Sequence, residues 1–264
     1  MRIVATMKTR ARGLLSDSQR REWDSLRLKR KYGDDLHQLA IACGTDKEGD
    51  SQHHYAQHYQ QSFSSVRMDE LNALEIGVGG YEDPLAGGES LRMWKAYFPN
   101  SRIYGIDIHD KHSHDEHRIK TFIGSQVDEQ FLKEVAGTIG RVDIVIDDGS
   151  HRCDHVIETF RILFPLMSSK GIYAVEDLQT SYWDEAQWGG SKDLNASHTS
   201  MNFFKRLVDG LNHEEFGADD HAPDYFAAHV TAMHFYHNLL FIQKGLNNEG
   251  SNMARPSSAA STTG

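Results

Sequence analysis

From residue 71 onward, short apolar runs alternate with longer segments in which apolar residues recur every three or four positions. The short runs are rich in β-branched residues and are typical of buried strands, whereas the longer segments are typical of amphipathic helices. Strands are predicted at residues 71–76, 102–106, 121–123, 142–146 and 171–175. Two later apolar runs, 230–236 and 239–244, predict an antiparallel hairpin. This alternation predicts an α/β fold with a mostly parallel sheet.

The two ends of the chain differ from this pattern. Residues 15–42 mix leucines with charges and predict one or two amphipathic helices, so residues 1–43 are expected to form a helical N-terminal cap. Residues 245–264 are rich in Asn, Ser, Ala and Gly, and a disordered tail is expected there. The domain that carries the chemistry is therefore expected to span residues 44–244.

Composition limits the possible partners. The chain of 264 residues is 39% hydrophobic and 25% charged with a net charge of -10, so nucleic acid is not expected as a partner. No apolar run reaches the ~18 residues that cross a membrane, and the basic start lacks the apolar segment of a secretory signal. We expect a cytoplasmic protein without a membrane partner. The two cysteines are too few for a disulfide framework or a thiolate zinc site.

Acidic residues directly follow two of the predicted strands, and a histidine lies close behind the first pair. The residues are Asp147, Asp148 and His151 after the fourth strand, and Glu176 and Asp177 after the fifth. The carboxyl ends of parallel strands meet at one edge of a sheet, where open α/β sheets bind ligands. The sequence thus predicts four acids and one histidine at this edge.

The first two strands end in residues suited to a nucleotide. Gly77 and Gly79 lie in a turn that allows positive φ and close approach of the backbone to a ligand. Asp107 ends the second strand, where an acid commonly accepts hydrogen bonds from ribose hydroxyls, and Gln126 follows the third strand, where it suits an adenine edge. An NAD-dependent oxidoreductase is one interpretation, although residues 81–88 separate the turn from its helix, unlike the dinucleotide fingerprint.

A segment before the first strand is rich in histidine and tyrosine. His53, Tyr55, Tyr59 and Phe63 fall mostly three to four residues apart, on one face of a helix. They form either aromatic packing or one wall of a ligand pocket.

Five motifs occur in a fixed order: GTDK at 44–47, LEIGVGG at 74–80, GID at 105–107, IDDGSH at 146–151 and EDLQTSYW at 176–183. In this order and separation they resemble the magnesium-dependent sugar O-methyltransferases, over about residues 44–244. The resemblance implies a Rossmann-like class I S-adenosylmethionine (SAM) methyltransferase fold. Its expected features are a seven-stranded, mostly parallel sheet, an antiparallel C-terminal hairpin and a helical N-terminal cap.

The resemblance also implies roles for individual residues. The SAM site would be formed by seven residues: Glu75, Gly77, Gly79, Ser90, Asp107, Gln126 and Asp147. Asp148, Glu176 and Asp177 would bind Mg²⁺, a hard cation that prefers oxygen ligands, and His151 would be the general base. Asp147 is ambiguous, since it could instead lie behind the metal ligands or cap the next helix. Tyr182 and Trp183 would either stack on a sugar or pack a loop.

The acceptor implied by the resemblance is a sugar hydroxyl. Family members that act on macrolides often carry a sizeable N-terminal auxiliary domain, whereas only about forty residues precede Gly44 here. A mannoside or oligosaccharide of the methylmannose polysaccharide type is therefore favoured over a deoxysugar of a macrolide or another glycosylated antibiotic. A non-catalytic sugar- or metal-binding module is a further alternative. The resemblance implies a homo-oligomer.

Overall fold

A computed structural model of the protein describes residues 16–49, 53–216 and 223–251. Its centre is a seven-stranded sheet with the strand order β3-β2-β1-β4-β5-β7-β6. The strands are β1 Asn72–Ile76, β2 Arg102–Asp107, β3 Ile119–Ile123, β4 Val142–Asp147, β5 Met167–Val175, β6 Val230–Phe235 and β7 Leu240–Lys244. Strands β1 to β5 pair with one another in parallel, and β7 is antiparallel to both β5 and β6. The predicted fold class is confirmed.

Helices cover both faces of the sheet. They are α1 Asp17–Tyr32, α2 Leu36–Cys43, α3 Ala56–Phe63, α4 Glu89–Tyr97, α5 Glu129–Ile139, α6 Cys153–Leu166, α7 Glu185–Trp188, α8 Ser200–Gly210 and α9 Tyr225–His229. Side chains of Asp35 and Asp128 accept hydrogen bonds from backbone N–H groups in the first turns of α2 and α5. These caps fix where the two helices begin, because they satisfy donors that have no partner within the helix.

The alternation of side chains along β4 divides the core into two clusters. Val145 belongs to the cluster that α5, α6 and α8 cover, and Ile146 belongs to the cluster that α2, α3 and α4 cover. Leu36 and Leu39 of the N-terminal cap lie fully buried in this second cluster. The cap and the sheet therefore share one hydrophobic core across the proposed boundary at residues 43 and 44.

The start of the expected tail also packs on the domain. The Asn247 side chain donates hydrogen bonds to the carbonyl oxygens of Gly210, Leu211 and Ala227 at 2.9–3.2 Å. The expected boundary at residue 245 therefore does not coincide with the end of the packed structure. Residues 1–15 of the expected cap and 252–264 of the expected tail lie outside the described residues. Within the described part of the chain, no helix has the length and apolarity to span a membrane.

The order of the strands reverses between β1 and β4, and this places their carboxyl ends side by side. The backbone N–H of Asp148 donates to the carbonyl of Ile76 at 3.0 Å. At Gly77, where φ is +89°, an added Cβ would lie 2.0 Å from the carbonyl oxygen of Asp148. Only glycine fits such a close approach with a positive φ. The ligand-binding edge of the sheet is therefore built around this junction.

Candidate active site

The acids predicted after β4 and β5 converge on one histidine. Nε2 of His151 lies 3.7 Å from Oδ2 of Asp177 and 4.0 Å from Oδ1 of Asp148. One potential ligand atom from each of the three residues lies within 4.8 Å of the other two. All three side chains are about one-fifth exposed, so the group opens to solvent at the edge of the sheet.

The backbone is held in an unusual conformation at two of these residues. His151 has a φ of +55° and Asp177 a φ of +54°, both in the left-handed region that non-glycine residues seldom adopt. The Thr180 hydroxyl donates to the carbonyl of His151 at 2.7 Å and thereby links the two loops. Such conformations persist where the surrounding structure enforces them, and they cluster at functional sites.

Glu176 points to a different partner. Its Oε1 accepts hydrogen bonds from the ammonium of Lys47 at 2.7 Å and from the hydroxyl of Tyr59 at 2.5 Å. Lys47 is fully buried, and its ammonium also lies 2.6 Å from Oδ2 of Asp148 and 3.2 Å from Oε1 of Glu75. A single buried cation therefore bridges carboxylates from the ends of β1, β4 and β5.

Burial dominates the electrostatics of this cluster. Desolvation raises the pKa of Glu176 well above its usual range, and the neighbouring Asp148 carboxylate raises it further. Burial also raises the pKa of Glu75 and of Asp148, with Lys47 opposing the rise in both. For Lys47, burial lowers the pKa of the ammonium, but Asp148, Glu176 and Glu75 together raise it well above its usual range. Three carboxyl groups therefore share one internal cation, which only partly offsets the burial and mutual repulsion that raise their pKa values.

The segment before β1 forms the outer wall of the site. The Tyr55 hydroxyl donates to Oδ1 of Asp177 at 2.8 Å, and Nε2 of His53 lies 3.3 Å from the same oxygen. Tyr59 contacts Glu176, whereas Phe63 packs in the core against Trp94. The His/Tyr-rich segment is thus both a wall of the site and a part of the aromatic packing.

Asp147 and Gln126 lie on the other face of the sheet. The Gln126 amide donates to Oδ1 of Asp147 at 3.2 Å and to the hydroxyl of Thr159, and its oxygen accepts from the backbone N–H of Ser150 at 2.8 Å. Tyr173 donates to Oδ2 of Asp147 at 3.3 Å. Burial raises the pKa of Asp147 to about 7. Both side chains are engaged within the protein, so their predicted contacts with a cofactor remain predictions.

The other five residues predicted for the cofactor lie at and beside the adjacent ends of β1 and β2. The Ser90 hydroxyl donates to Oε2 of Glu75 at 2.7 Å. Asp107 accepts the N–H of Val78 at 3.0 Å on one oxygen and the N–H of His109 at 2.9 Å on the other. These two bonds orient the carboxylate and leave further lone pairs on each oxygen for a ligand. Gly77 and Gly79 both have a positive φ beside it.

The two predicted substrate residues follow Asp177 closely in the chain and are partly exposed. Tyr182 is the last residue of the short 3₁₀ turn that Leu178 begins and is 37% exposed, and Trp183 follows it and is 46% exposed. The ring of Trp183 meets the ring of Trp188 in α7 edge to face, with the centroids 5.7 Å apart. Their exposed faces are compatible with both expectations, a contact with sugar and the packing of a loop.

The donor set fits a hard divalent cation. Two of the three grouped residues, Asp148 and Asp177, offer carboxylate oxygens, which are the ligands that Mg²⁺ prefers. The third predicted acid, Glu176, is not in the group that lies within 4.8 Å, and its Oε1 instead accepts hydrogen bonds from Lys47 and Tyr59. His151, predicted as a base, is in the group instead.

Sequence reasoning from strand ends missed Lys47, Thr180 and the hydroxyl of Tyr55 as parts of the site. Lys47 lies 101 residues from Asp148 and 129 from Glu176 in the chain, so no local pattern links them. The available signal is the GTDK motif at 44–47, which is part of the resemblance.

Known proteins with similar sequences are sugar O-methyltransferases. No protein-family model matches the chain. Over 218 residues, 82% of the chain, it is 46% identical to demethylmacrocin O-methyltransferase of Streptomyces fradiae, of whose length it covers 54%. It is 45% identical over 218 residues to the 8-demethyl-8-alpha-L-rhamnosyl tetracenomycin-C 2'-O-methyltransferase of Streptomyces olivaceus, of which it covers 56%. Over these 218 residues the chain is similar to sugar O-methyltransferases, and it shares the fold of the class I methyltransferases.

A solved structure supports the same family. The MycE methyltransferase from the mycinamycin biosynthetic pathway, in complex with Mg, SAH and mycinamycin VI, superposes with a TM-score of 0.78 at 43% identity. The superposition covers 82% of this chain and 55% of that one. The chain thus spans about half the length of the relatives it matches.

One preference drawn from the sequence is not supported. The relatives named above are enzymes for macrocin, tetracenomycin and mycinamycin compounds, which favours the alternative, a sugar of a glycosylated antibiotic, over the mannoside or polysaccharide. The physical reason is that the five motifs lie around the nucleotide and metal edge of the sheet, which any sugar acceptor would share. They do not distinguish what the sugar is attached to.

Proposed function

We propose that the chain transfers a methyl group from SAM to a sugar hydroxyl of a glycosylated antibiotic, with Mg²⁺ at the acid edge of the sheet. The observation that carries this proposal is the convergence of Asp148, Asp177 and His151, whose ligand atoms lie within 4.8 Å of one another. A sugar hydroxyl is a weak nucleophile near neutral pH. Its attack on a methyl carbon needs a group that removes the proton and a charge that stabilises the developing alkoxide.

Asp148 and Asp177 would hold the metal, with Glu176 as the third acid of the proposed set. Asp148 Oδ1 and Asp177 Oδ2 are the two carboxylate oxygens that face His151. When bound, Mg²⁺ supplies a Lewis acid that orients neighbouring sugar oxygens and lowers the pKa of the one that attacks, while SAM supplies the methyl group. Asp148 and Asp177 contribute the geometry, because they extend from two different strand ends toward His151.

His151 would take the proton from the acceptor hydroxyl at Nε2. Imidazole is the side chain that ordinarily exchanges a proton near neutral pH, and general bases commonly use it. The Asp177 carboxylate, 3.7 Å away, would stabilise the imidazolium that forms. The hydrogen bond from Thr180 to the carbonyl of His151 would hold the backbone of the histidine in place.

The methyl donor would lie along the ends of β1 and β2. Gly77 and Gly79 give the turn its open backbone, and Asp107 presents two oriented oxygens to ribose hydroxyls. The two glycine positions, the acid and the strand-order reversal between β1 and β4 together support a nucleoside-bearing donor at this edge. Ser90 and Glu75, whose side chains are joined at 2.7 Å, would line this region.

The alternatives from the sequence find less support. The MycE structures contain SAH, which favours SAM over NAD as the nucleotide for this chain. A non-catalytic sugar- or metal-binding module does not account for a histidine that two carboxylates and a left-handed backbone direct into the same group. Homo-oligomerisation remains a proposal.

The test of the proposed function is a methyl-transfer screen with labelled SAM. The acceptors are demethylated macrolide and rhamnosyl tetracenomycin glycosides, the same aglycones without sugar, and mannose oligosaccharides. We expect label only in the intact antibiotic glycosides, with NMR locating the new methyl on a sugar oxygen. Label on mannose oligosaccharides alone, or on the aglycones, would contradict the proposed acceptor. Binding of NAD but not SAM in calorimetry would contradict the proposed chemistry.

A further inference from the structure

The Lys47 ammonium occupies the point where three strand ends bring their acids together. It lies 3.2 Å from Oε1 of Glu75, 2.6 Å from Oδ2 of Asp148 and 2.7 Å from Oε1 of Glu176. Lys47 and two of its partners are almost fully buried, since the side-chain exposure is 1% for Lys47, 1% for Glu75 and 2% for Glu176. These carboxylates therefore meet no bulk water that could screen their mutual repulsion.

The ammonium takes one oxygen of Asp148 and leaves the other free to face the site. Oδ2 of Asp148 is bound to Lys47, whereas Oδ1 points toward Nε2 of His151. Asp177 makes the matching arrangement with Tyr55, which binds Oδ1 while Oδ2 faces His151. Both acids thus have one oxygen held by the segment before β1 and one presented to the proposed metal.

The role of Lys47 differs from that of another buried lysine. Lys244 lies at the opposite edge of the sheet, where its ammonium donates to the carbonyl oxygens of Phe164, Pro165 and Met167 at 2.8–2.9 Å. Lys244 satisfies backbone groups at the end of α6, whereas Lys47 neutralises carboxylates. Loss of either lysine leaves buried groups without a partner, but only carboxylates can be neutralised by a divalent ion instead.

We propose that Lys47 is a positioning residue that acts as a built-in cation, holding Asp148 and Glu176 together at the acid edge whether or not a metal is bound. This inference rests on the proposed function, since it takes the acid edge to be the metal site. Its consequence is that the stability of the wild-type fold depends only weakly on Mg²⁺. Without Lys47, a divalent ion becomes the cation that keeps the three strand ends together.

The experiment compares thermal unfolding of wild type and Lys47→Met in EDTA and in excess Mg²⁺, with ionic strength matched by NaCl. Loss of one partner of a buried ion pair is strongly destabilising, so we expect the Tm of Lys47→Met in EDTA to fall by about 10 °C. Mg²⁺ should recover at least half of this loss, whereas it should raise the wild-type Tm by only a few degrees. Lys47→Arg, which keeps the charge, should respond to Mg²⁺ as the wild type does.

Lys244→Met is the matched control for a buried lysine away from the acids. Its Tm should fall in EDTA and stay lowered in Mg²⁺. If Lys47→Met behaves in the same way, with equal losses in EDTA and Mg²⁺, Lys47 is only a structural residue and the inference is wrong. If Lys47→Met yields no folded protein, Lys47→Gln is measured instead under the same criteria.

Calorimetric titration with Mg²⁺ separates the two proposals. If Mg²⁺ binds to the wild type but raises the Tm of the Lys47 variants no more than that of the wild type, the proposed role of Lys47 is wrong. The proposed function is then unaffected. Absence of Mg²⁺ binding to the wild type and to the Lys47 variants overturns both.

Discussion

His151 and Asp177 share an unusual backbone conformation and face each other across the ends of β4 and β5. Their φ angles are +55° and +54°, and Nε2 of the histidine lies 3.7 Å from Oδ2 of the aspartate. The left-handed backbone conformation of these two residues, in adjacent loops, directs both side chains to one point. The geometry therefore supports a shared chemical role rather than two independent loop conformations.

The first prediction concerns His151→Asn. Asparagine tolerates the left-handed backbone, so the loop should keep its conformation while the proton acceptor is lost. We expect kcat to fall by about 10²- to 10⁴-fold, the usual contribution of general-base catalysis. The exposed His198→Asn serves as the control and should leave kcat unchanged.

Calorimetry with Mg²⁺ then decides how His151 acts. Unchanged Mg²⁺ affinity in His151→Asn supports a base, whereas weakened affinity indicates a metal ligand, because its ring lies in the same group of potential ligands. A loss of less than tenfold in kcat, with the fold intact, would remove His151 from the mechanism.

The second prediction concerns Asp148→Asn and Asp177→Asn. Each replaces a carboxylate that faces His151 with a neutral amide of the same size, so Mg²⁺ binding and turnover should fall together. Titration calorimetry and initial rates across a range of Mg²⁺ concentrations check this. Asp154→Asn, an exposed acid paired with Arg152, is the control. Variants that bind Mg²⁺ as tightly as the wild type would show that these acids do not hold the ion.

The third prediction tests whether Gln126 is structural or contacts the cofactor. Its amide joins Asp147, Thr159 and the backbone of Ser150, and an added Cβ at Gly149 would lie 2.4 Å from Oε1 of Gln126. Gln126→Met leaves buried polar groups unsatisfied and should lower the free energy of unfolding by about 1–3 kcal/mol in urea denaturation. The exposed Gln130→Met should not. A variant with unchanged stability but much weaker SAM binding would instead support the adenine contact.

The fourth prediction concerns pH and His114. Its Nε2 lies 3.1 Å from the carbonyl of Ala86, and burial lowers the pKa of the imidazole. Between this lowered pKa and the usual value of about 6.5, the unfolded chain binds more protons than the folded one. Stability should therefore fall as pH decreases through this window.

His114→Gln should reduce that dependence. Urea midpoints measured at about pH 7.5 and about pH 5.5 give the slope for each variant. Part of the slope should remain, since burial also lowers the pKa of His58 and His155. The exposed His112→Gln is the control. Equal slopes for His114→Gln and the wild type would contradict this assignment.

Much of the sheet follows from local sequence pattern. The runs predicted at 102–106 and 142–146 match β2 and β4 to within one residue. They could be predicted because β-branched residues buried on both faces mark a central strand. β5 begins at Met167 rather than at 171, since Ser169 and Lys170 are exposed there and show no apolar signal. An apolar pattern in the sequence predicts only those parts of a strand that are buried.

The site follows from the sequence less completely. Adjacent residues at a strand end face opposite sides of the sheet, and this separates Asp147, bound to Tyr173, from Asp148, bound to Lys47. This alternation of side chains between the two faces of the sheet can be predicted from the sequence. The contacts of Lys47 and Tyr55 were not, because they join segments more than a hundred residues apart through tertiary packing.

The central claim is that acids from β4 and β5 share a divalent ion that methyl transfer to a sugar requires. The most direct measurement is the rate of transfer from SAM to an antibiotic glycoside in metal-free buffer, in EDTA and after addition of Mg²⁺, for the wild type and Asp177→Asn. We predict that EDTA abolishes transfer, that Mg²⁺ restores it in the wild type and that Asp177→Asn stays inactive. Full transfer in EDTA, or an Asp177→Asn enzyme as active as the wild type, would contradict the claim.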